Sequence, residues 1–334
     1  MKADTITKDY ISDTEVFADV FNYYIYDGQQ VILPEQLEER DSTELALPYG
    51  ADGSIVPIQK FRDVQKMCTA MTDGKLEYVI YGVEAQAEIH NAMVVRNNLY
   101  DALEYAGQVS EAAKSHYKAM QKEKQAMHER GEKVTGENKK SPSSREFLSG
   151  FWDEDRLIPS VTVTVYFGSE EWTGPMSLFD MMRVGDSRVF SCIDNYHLRL
   201  IAPARMSDGE IMKFQSSLRE VLFFIKYSKD KENLDRILKV NEKRFREVER
   251  RAVDVIEAIT HAGLRYEESE GEVNMCKAIQ EMRMEERQIG ELKKAQESAR
   301  NLYELGVDVE KIAQGVGYAV ETVKGWLGLS INLQ

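Results

Sequence analysis

The run Tyr78-Val-Ile-Tyr-Gly-Val-Glu84-Ala-Gln86 constrains the chain more than any other stretch, because a β-branched and aromatic strand ends in two polar side chains. Period-2 geometry puts Glu84 and Gln86 on one face of that strand. A carboxylate at the end of an apolar strand is costly unless it is hydrogen-bonded or coordinates a cation. Asp63, 21 residues earlier at the end of the preceding extended segment, can sit beside it. Two hard oxygen ligands on adjacent strands, with positions left for water and phosphate, suit Mg²⁺ or Mn²⁺. The same spacing is also met by a plain strand end, with Glu84 and Gln86 at the surface and Asp63 paired to Arg62 or Lys66, so spacing alone leaves both readings open. Asp52 and Asp73 compete with Asp63, but each lies in an Asp-Gly turn signature where local backbone hydrogen bonding accounts for it.

Helical and extended patterns alternate around this strand. Thr14 to Tyr26 places Val16, Phe17, Val20, Phe21 and Tyr24 at helical spacing, with Asp13 as N-cap and Gly28 as stop. A second helix is expected over about 92–109, from the recurrence of Met93, Val95, Leu99, Leu103 and Ala106. Ser160 to Phe167 is the clearest strand, and His197 to Ile201 is another candidate. Ser207-Asp-Gly-Glu210 has capping-box spacing and predicts a helix with Ile211, Phe214, Leu218, Val221, Leu222 and Ile225 on one face. Beyond Glu232 no strand is expected, and Arg236 to Arg251 reads as one helix carrying 7 basic and 3 acidic residues. The expected fold is therefore α/β, a mixed sheet flanked by helices over 10–230, with an α-helical extension over 231–330. Within the first part, 118–146 has 8 basic and 5 acidic residues and few large apolar ones, which suggests a flexible basic insertion or a solvated, fraying helix.

Length and charge narrow the function classes. With 334 residues the chain is long enough for two domains. Its net charge of −14 repels phosphate backbones, so contact with nucleic acid has to come from local basic patches. The three cysteines, Cys68, Cys192 and Cys276, make neither a disulfide framework nor a Cys-only zinc site, and with no apolar leader or membrane-length apolar run a cytoplasmic, membrane-free protein is expected. No P-loop, G-x-G-x-x-G or G-x-S-x-G occurs. The histidines lack ligand spacing, although His90 lies six residues past Glu84.

Phe17-Ala-Asp19 and Asn22, then Arg62-Asp63-Val64, Gly82-Val-Glu84-Ala-Gln86 and Met93-x-x-Arg96-x-x-x-Tyr100 follow one another in the order helix, strand, strand, E-x-Q, helix. In this the chain resembles the PD-(D/E)XK nuclease superfamily, and more closely the recombination-promoting nuclease family of putative transposases, whose motif ends E-x-Q. Arg156-Leu-Ile-Pro159 and Leu218 to Tyr227 also look like this group, so the resemblance spans most of 10–330. It implies a restriction-endonuclease-like core and Mg²⁺-dependent DNA endonuclease activity, with a role in recombination or transposition. By the same resemblance, Asp63 and Glu84 hold the metal, Gln86 stands where most members have Lys and orients the attacking water, and Asp19 is a further carboxylate ligand. Arg62 stands where the superfamily motif has Pro, and Gln carries no positive charge to the transition state. Arg96 and Tyr100, one helical turn apart, either face the phosphate or pack on each other. Lys118, Lys122, Lys139, Lys140 and Arg244 are the candidate phosphate contacts. A nuclease-like fold serving as a DNA- or protein-binding regulator, and an RNase using the same site, are the alternatives.

At the end of the chain Ala313, Gly317 and Val323 have the 0, +4, +10 spacing of a helix-turn-helix over 306–327. Its second helix offers Glu321, Thr322 and Lys324, so it reads as a DNA contact or as a packing module. Ile279, Met282, Ile289, Leu292, Ala295, Ala299, Leu302 and Leu305 recur in front of it, the pattern of a core helix or of one that pairs in a homodimer.

Overall fold

The structure is a computed structural model that describes residues 3–40, 43–46, 58–61, 63–72, 75–130, 142–183, 187–264, 266 and 271–329; for 43–46, 58–61, 69–72, 75–78, 285 and 286 only the backbone is described. Asp52, Asp73, Arg62, Lys139 and Lys140 lie outside these residues.

Two helices open the chain, α1 (Ala3–Ser12) and α2 (Thr14–Tyr26). Asp13 caps α2 by accepting the Glu15 N–H at 2.9 Å. Gly28, at φ 88°, completes the left-handed exit begun at Asp27 and lies so close to Lys213 that a Cβ would clash. Strand β1 (Leu37–Glu39) follows, then β2 (Thr43–Ala46) and β3 (Ile58–Phe61), which form a separate antiparallel pair. Strands β4 (Val64–Thr72) and β5 (Lys75–Gln86) make an antiparallel hairpin, α3 (Met93–Glu129) leads to β6 (Ser160–Tyr166), and β7 (Leu200–Ile201) is the last strand of this sheet. The five-stranded sheet runs β1-β4-β5-β6-β7, antiparallel up to β5 and parallel from β5 to β7.

The two sheet faces differ in chemistry. Tyr81, Val83, Cys68, Val163 and Val165 point to the α2 side, where the Phe21 ring meets Tyr81 at 4.3 Å between centroids. The opposite face, covered by α3, is polar. Gln65 donates to Glu104 at 2.8 Å, Asn97 to Thr164 at 2.9 Å, and Thr162 to Asp101 at 2.7 Å. Three buried carboxylates on this interface each meet an arginine that reaches the surface: Glu84 with Arg96 at 3.0 Å, Glu104 with Arg40 at 3.5 Å and Asp101 with Arg199 at 3.9 Å. Such burial is tolerable only with partners of this kind. At the start of α3 an apolar cluster of Met93, Val94, Tyr166, Trp172, Leu198 and Ala202 takes over.

The solvated-helix alternative for 118–146 holds over part of it: residues 118–129 belong to α3, and 144–149 form α4 (Ser144–Ser149), opened by a Ser143–Glu146 capping box. Other expectations are corrected. After α5 (Ser187–Phe190), the capping box at Ser207 opens only α6 (Asp208–Ile211); the chain then turns and restarts as α7 (Leu218–Tyr227). The expected apolar residues Ile211, Phe214, Leu218, Val221, Leu222 and Ile225 are all buried, because the turn preserves their face. The reason for the restart is Asp19 on α2. Its Oδ2 accepts the Gln215 N–H, the Ser216 N–H (both 2.8 Å) and the Ser216 hydroxyl (2.7 Å), which anchors the turn ahead of α7. Finally, 236–251 is broken into α8 (Lys231–Val240), α9 (Glu242–Phe245), a short strand β8 (Val248–Glu249) and the start of α10 (Arg250–Thr260), so a strand does occur beyond Glu232.

The chain divides into one unit of Met1–Val240 with Glu249–Ala262 and another of Asn241–Val248 with Gly263–Gln334, so α8 and α10 belong to the first unit. In the first unit α10 packs on α1 and α7. The second contains α9, α11 (Met275–Glu304), α12 (Val309–Val316) and α13 (Val320–Trp326). Here Ala313 and Val323 are buried against Ala299 and Ile312, and Gly317 takes φ 77° in the turn, as the helix-turn-helix spacing predicts. The apolar stripe on α11 is buried at Ile279 and Ala299 and exposed at Ile289, Leu292 and Leu305. Among the described residues no helix is long and apolar enough to cross a membrane.

Candidate active site

The register of β4 on β5 pairs Val64 with Val83, which sets Asp63, just before β4, opposite Glu84. The two residues interlock. The Asp63 N–H donates to Glu84 Oε1 at 3.3 Å, and the Ala85 N–H donates to Asp63 Oδ2 at 2.9 Å. Backbone donors on neighbouring strands thus fix both carboxylates at one strand end. Glu84 is fully buried, and Asp63 is half-buried toward the open end of the sheet. Burial pushes the Asp63 carboxyl above its usual range, against the Ala85 N–H, Arg96 and Lys8, which lower it; Asp4 adds to the rise.

Arg96 on α3 closes the site from the helix side. Its Nη2 lies 3.0 Å from Glu84 Oε2, and its Nε donates to the Tyr100 hydroxyl at 2.8 Å. Burial works against the Arg96 charge, yet Glu84, Tyr100 and Asp63 raise its pKa overall. The Tyr100 hydroxyl is pushed up by burial and then by Glu84. Arg96 and Tyr100 therefore pack on each other and also serve the carboxylate pair. Gln86 is half-buried two residues beyond Glu84 on the same face, at the last register position of β5 on β6, opposite Tyr166.

Asp19 is not brought to this pair. It sits on the helix that covers the other face of the sheet, and its Oδ2 is engaged by the turn before α7, which gives it a structural role. Of the alternative partners for Asp63, Arg62 lies outside the described residues and Lys66 points elsewhere. Lys66 is buried on the α2 side, 5.6 Å from the Phe17 ring and 3.5 Å from Glu39. His90 is exposed in the loop after β5, and His116 stacks on Trp152 while bonding Asp155 at 2.9 Å.

Lys118 and Lys122 are exposed on α3, beside a shallow groove along Tyr117–His128. At about 1.5 Å rise per residue, Lys118 is roughly 33 Å along the helix from Arg96, too far to share a phosphate with it. Arg244 is half-buried in α9 of the second unit. The other arginines of the basic run are held by acidic neighbours: Arg236 by Asp208, Arg246 by Glu242, Arg250 by Asp254 and Arg251 by Asp13.

Two residues were not singled out from the sequence. Asp4 and Lys8 of α1 both act electrostatically on Asp63 and border the site. The signal was present, since Thr7, Tyr10 and Ile11 are buried at i, i+3 and i+4 of a helix.

Two adjacent carboxylates held by backbone N–H groups are donors of the type a hard divalent cation takes, while Arg96 on Glu84 opposes its binding. Among the described residues no group of three or more His, Cys, Asp or Glu side chains is placed to hold a metal. No protein family, curated protein or solved structure matches the chain.

Proposed function

We propose that the protein is a Mg²⁺- or Mn²⁺-dependent DNA endonuclease with a restriction-endonuclease-like core, active in recombination or transposition. The observation that carries this reading is the interlock of Asp63 and Glu84 at the end of a β-hairpin. The order α2, β1, β4, β5, α3, β6 supports it as well, with one carboxylate just before the second of these strands and the other on the third. A divalent cation held by Asp63 and Glu84 would supply positive charge to the phosphate oxygens and lower the pKa of the attacking water. Gln86 positions that water through its amide, on the same face as Glu84. Tyr100 and the buried setting exclude bulk water and strengthen each charge–charge contact. Lys118, Lys122 and, outside the described residues, Lys139 and Lys140 supply phosphate contacts that the acidic bulk lacks.

The test is nicking of supercoiled plasmid with Mg²⁺ or Mn²⁺ by wild type, Asp63→Asn and Glu84→Gln, with an EDTA control. Loss of at least about 100-fold in both variants is expected; equal rates in all three would refute the site. One observation favours a second reading, a regulator that binds without cleaving: Glu84 is already neutralised by Arg96. That reading predicts no nicking and no thermal shift with either metal. Exposed Ile289 and Leu292 on α11 are where a homodimer would pair, and sedimentation of wild type beside Ile289→Lys tests it.

A further inference from the structure

Glu84 is a fully buried anion with a cation attached to it. That cation is a side chain with an exit: Arg96 is 33% exposed, while Glu84 is 0% exposed. Of the two partners only the arginine can leave. Its fork is divided between Glu84, through Nη2 at 3.0 Å, and Tyr100, through Nε at 2.8 Å, with the guanidinium 5.6 Å from the Tyr100 ring centre.

Resting on the endonuclease reading above, we propose that Arg96 competes with the divalent cation for Glu84 and, once displaced, becomes the contact for the scissile phosphate. Charge counting drives the exchange. Asp63 and Glu84 together carry −2, and Arg96 reduces this to −1. Adding a doubly positive ion while Arg96 stays would leave the cluster at +1, with two like-charged groups on one carboxylate. Arg96 then moves outward along its exposed side. A guanidinium freed at the rim presents paired N–H donors in a planar fork, the geometry that binds phosphate oxygens bidentately. The displaced arginine thus arrives where the substrate's charge is, and with no cation bound the ion pair holds the site closed.

The two halves of the proposal have opposite signs in one variant. Arg96→Met keeps the length and loses the charge, so Mn²⁺ should bind the full-length protein at least about tenfold more tightly by titration calorimetry, since a competitor has been removed. Its plasmid nicking at saturating Mn²⁺ should fall by about 100-fold or more, since the phosphate contact is gone. Removing the partner of a buried carboxylate can also unfold a protein. A second measurement therefore uses wild type alone: on titration with Mg²⁺, the Nε–H resonance of Arg96 should lose its protection from solvent exchange as its bond to Tyr100 breaks.

An Mn²⁺ affinity in folded Arg96→Met equal to or weaker than wild type overturns the proposal. So does an unchanged Arg96 resonance while Mg²⁺ binds. In either case metal binding abolished by Glu84→Gln would leave the endonuclease reading standing. No binding of either metal to wild type or to Arg96→Met overturns both together.

Discussion

Asp19 offers the sharpest separation of a structural role from a catalytic one. Its Oδ2 accepts three hydrogen bonds from Gln215 and Ser216, and these hold the turn that starts α7. Asp19→Ala deletes the acceptor and leaves two backbone N–H groups in a part-buried turn without it. At about 1 kcal/mol for each bond lost, the cost is about 3 kcal/mol. For a unit of this size that corresponds to a fall of roughly 6–12 °C in Tm. Asp19→Asn keeps the shape and one acceptor oxygen, and should cost about 1 kcal/mol. Burial raises the Asp19 pKa, against the Ser216 and Gln215 hydrogen bonds that lower it. The fold therefore favours the protonated acid: this contribution is full below the unfolded carboxylate value of about 3.9 and is lost as pH rises through the higher folded value. Wild type should accordingly outperform Asp19→Asn by more at acid pH than at neutral pH. Urea unfolding followed by circular dichroism, repeated from pH 3 to pH 7, measures both effects. A cost below about 0.5 kcal/mol for Asp19→Ala, the size of an ordinary surface change, would refute the anchoring role. Loss of Mn²⁺ binding in Asp19→Asn at unchanged stability would refute it in favour of a metal ligand.

Three further outcomes follow from the same reasoning. Burial pushes Asp208 up, but hydrogen bonds from Lys226, Tyr227 and Arg236 bring it down to about 2, so it stabilises the fold above the unfolded carboxylate value and this is lost as pH falls through about 2; Asp208→Asn should remove at most about 2 kcal/mol at pH 7 and flatten the acid limb of a pH–stability curve. Gly317→Val forces a β-branched residue to φ 77° and should lower the unfolding midpoint of the helical unit by the equivalent of about 1–2 kcal/mol, measured by differential scanning calorimetry. Lys118→Glu with Lys122→Glu should weaken DNA binding and flatten the slope of log K against log salt by about 2, whereas Arg246→Glu, whose charge is already met by Glu242, should change it less; equal slopes in all three proteins would remove α3 from the interface.

Much of the site was legible because it depends on local geometry. Strand alternation fixes the face of Glu84 and Gln86, and one hairpin brings Asp63 back to them. The spacing of Arg96 and Tyr100 likewise survives as a real contact. What failed depends on distant partners. The break between α6 and α7 is invisible in a pattern whose buried residues keep their period, and its cause lies almost 200 residues earlier, at Asp19. The far half of α3 carries no apolar stripe, so composition left a linker and a solvated helix both open, and the backbone is helical to Glu129. The basic run 236–251, which supplied Arg244 as a candidate phosphate contact, is less free than its composition suggests, because a sequence does not show that Asp13, Asp208, Glu242 and Asp254 come to meet its other arginines.

The polar seam beneath α3 sets which substitutions the protein can absorb. Apolar layers tolerate swaps of similar volume at small cost, and the α2 side of the sheet can be repacked in that way. The α3 side cannot, since each of Gln65, Asn97, Asp101 and Glu104 is matched to a partner by direction as well as size, and truncating one strands the other. In a saturation library selected for folding alone, the sheet's two faces should therefore diverge: Val83, Val163 and Val165 accepting several aliphatic residues, and the seam accepting almost none. The surface that holds the carboxylate pair in place is thus the one with the least freedom to change.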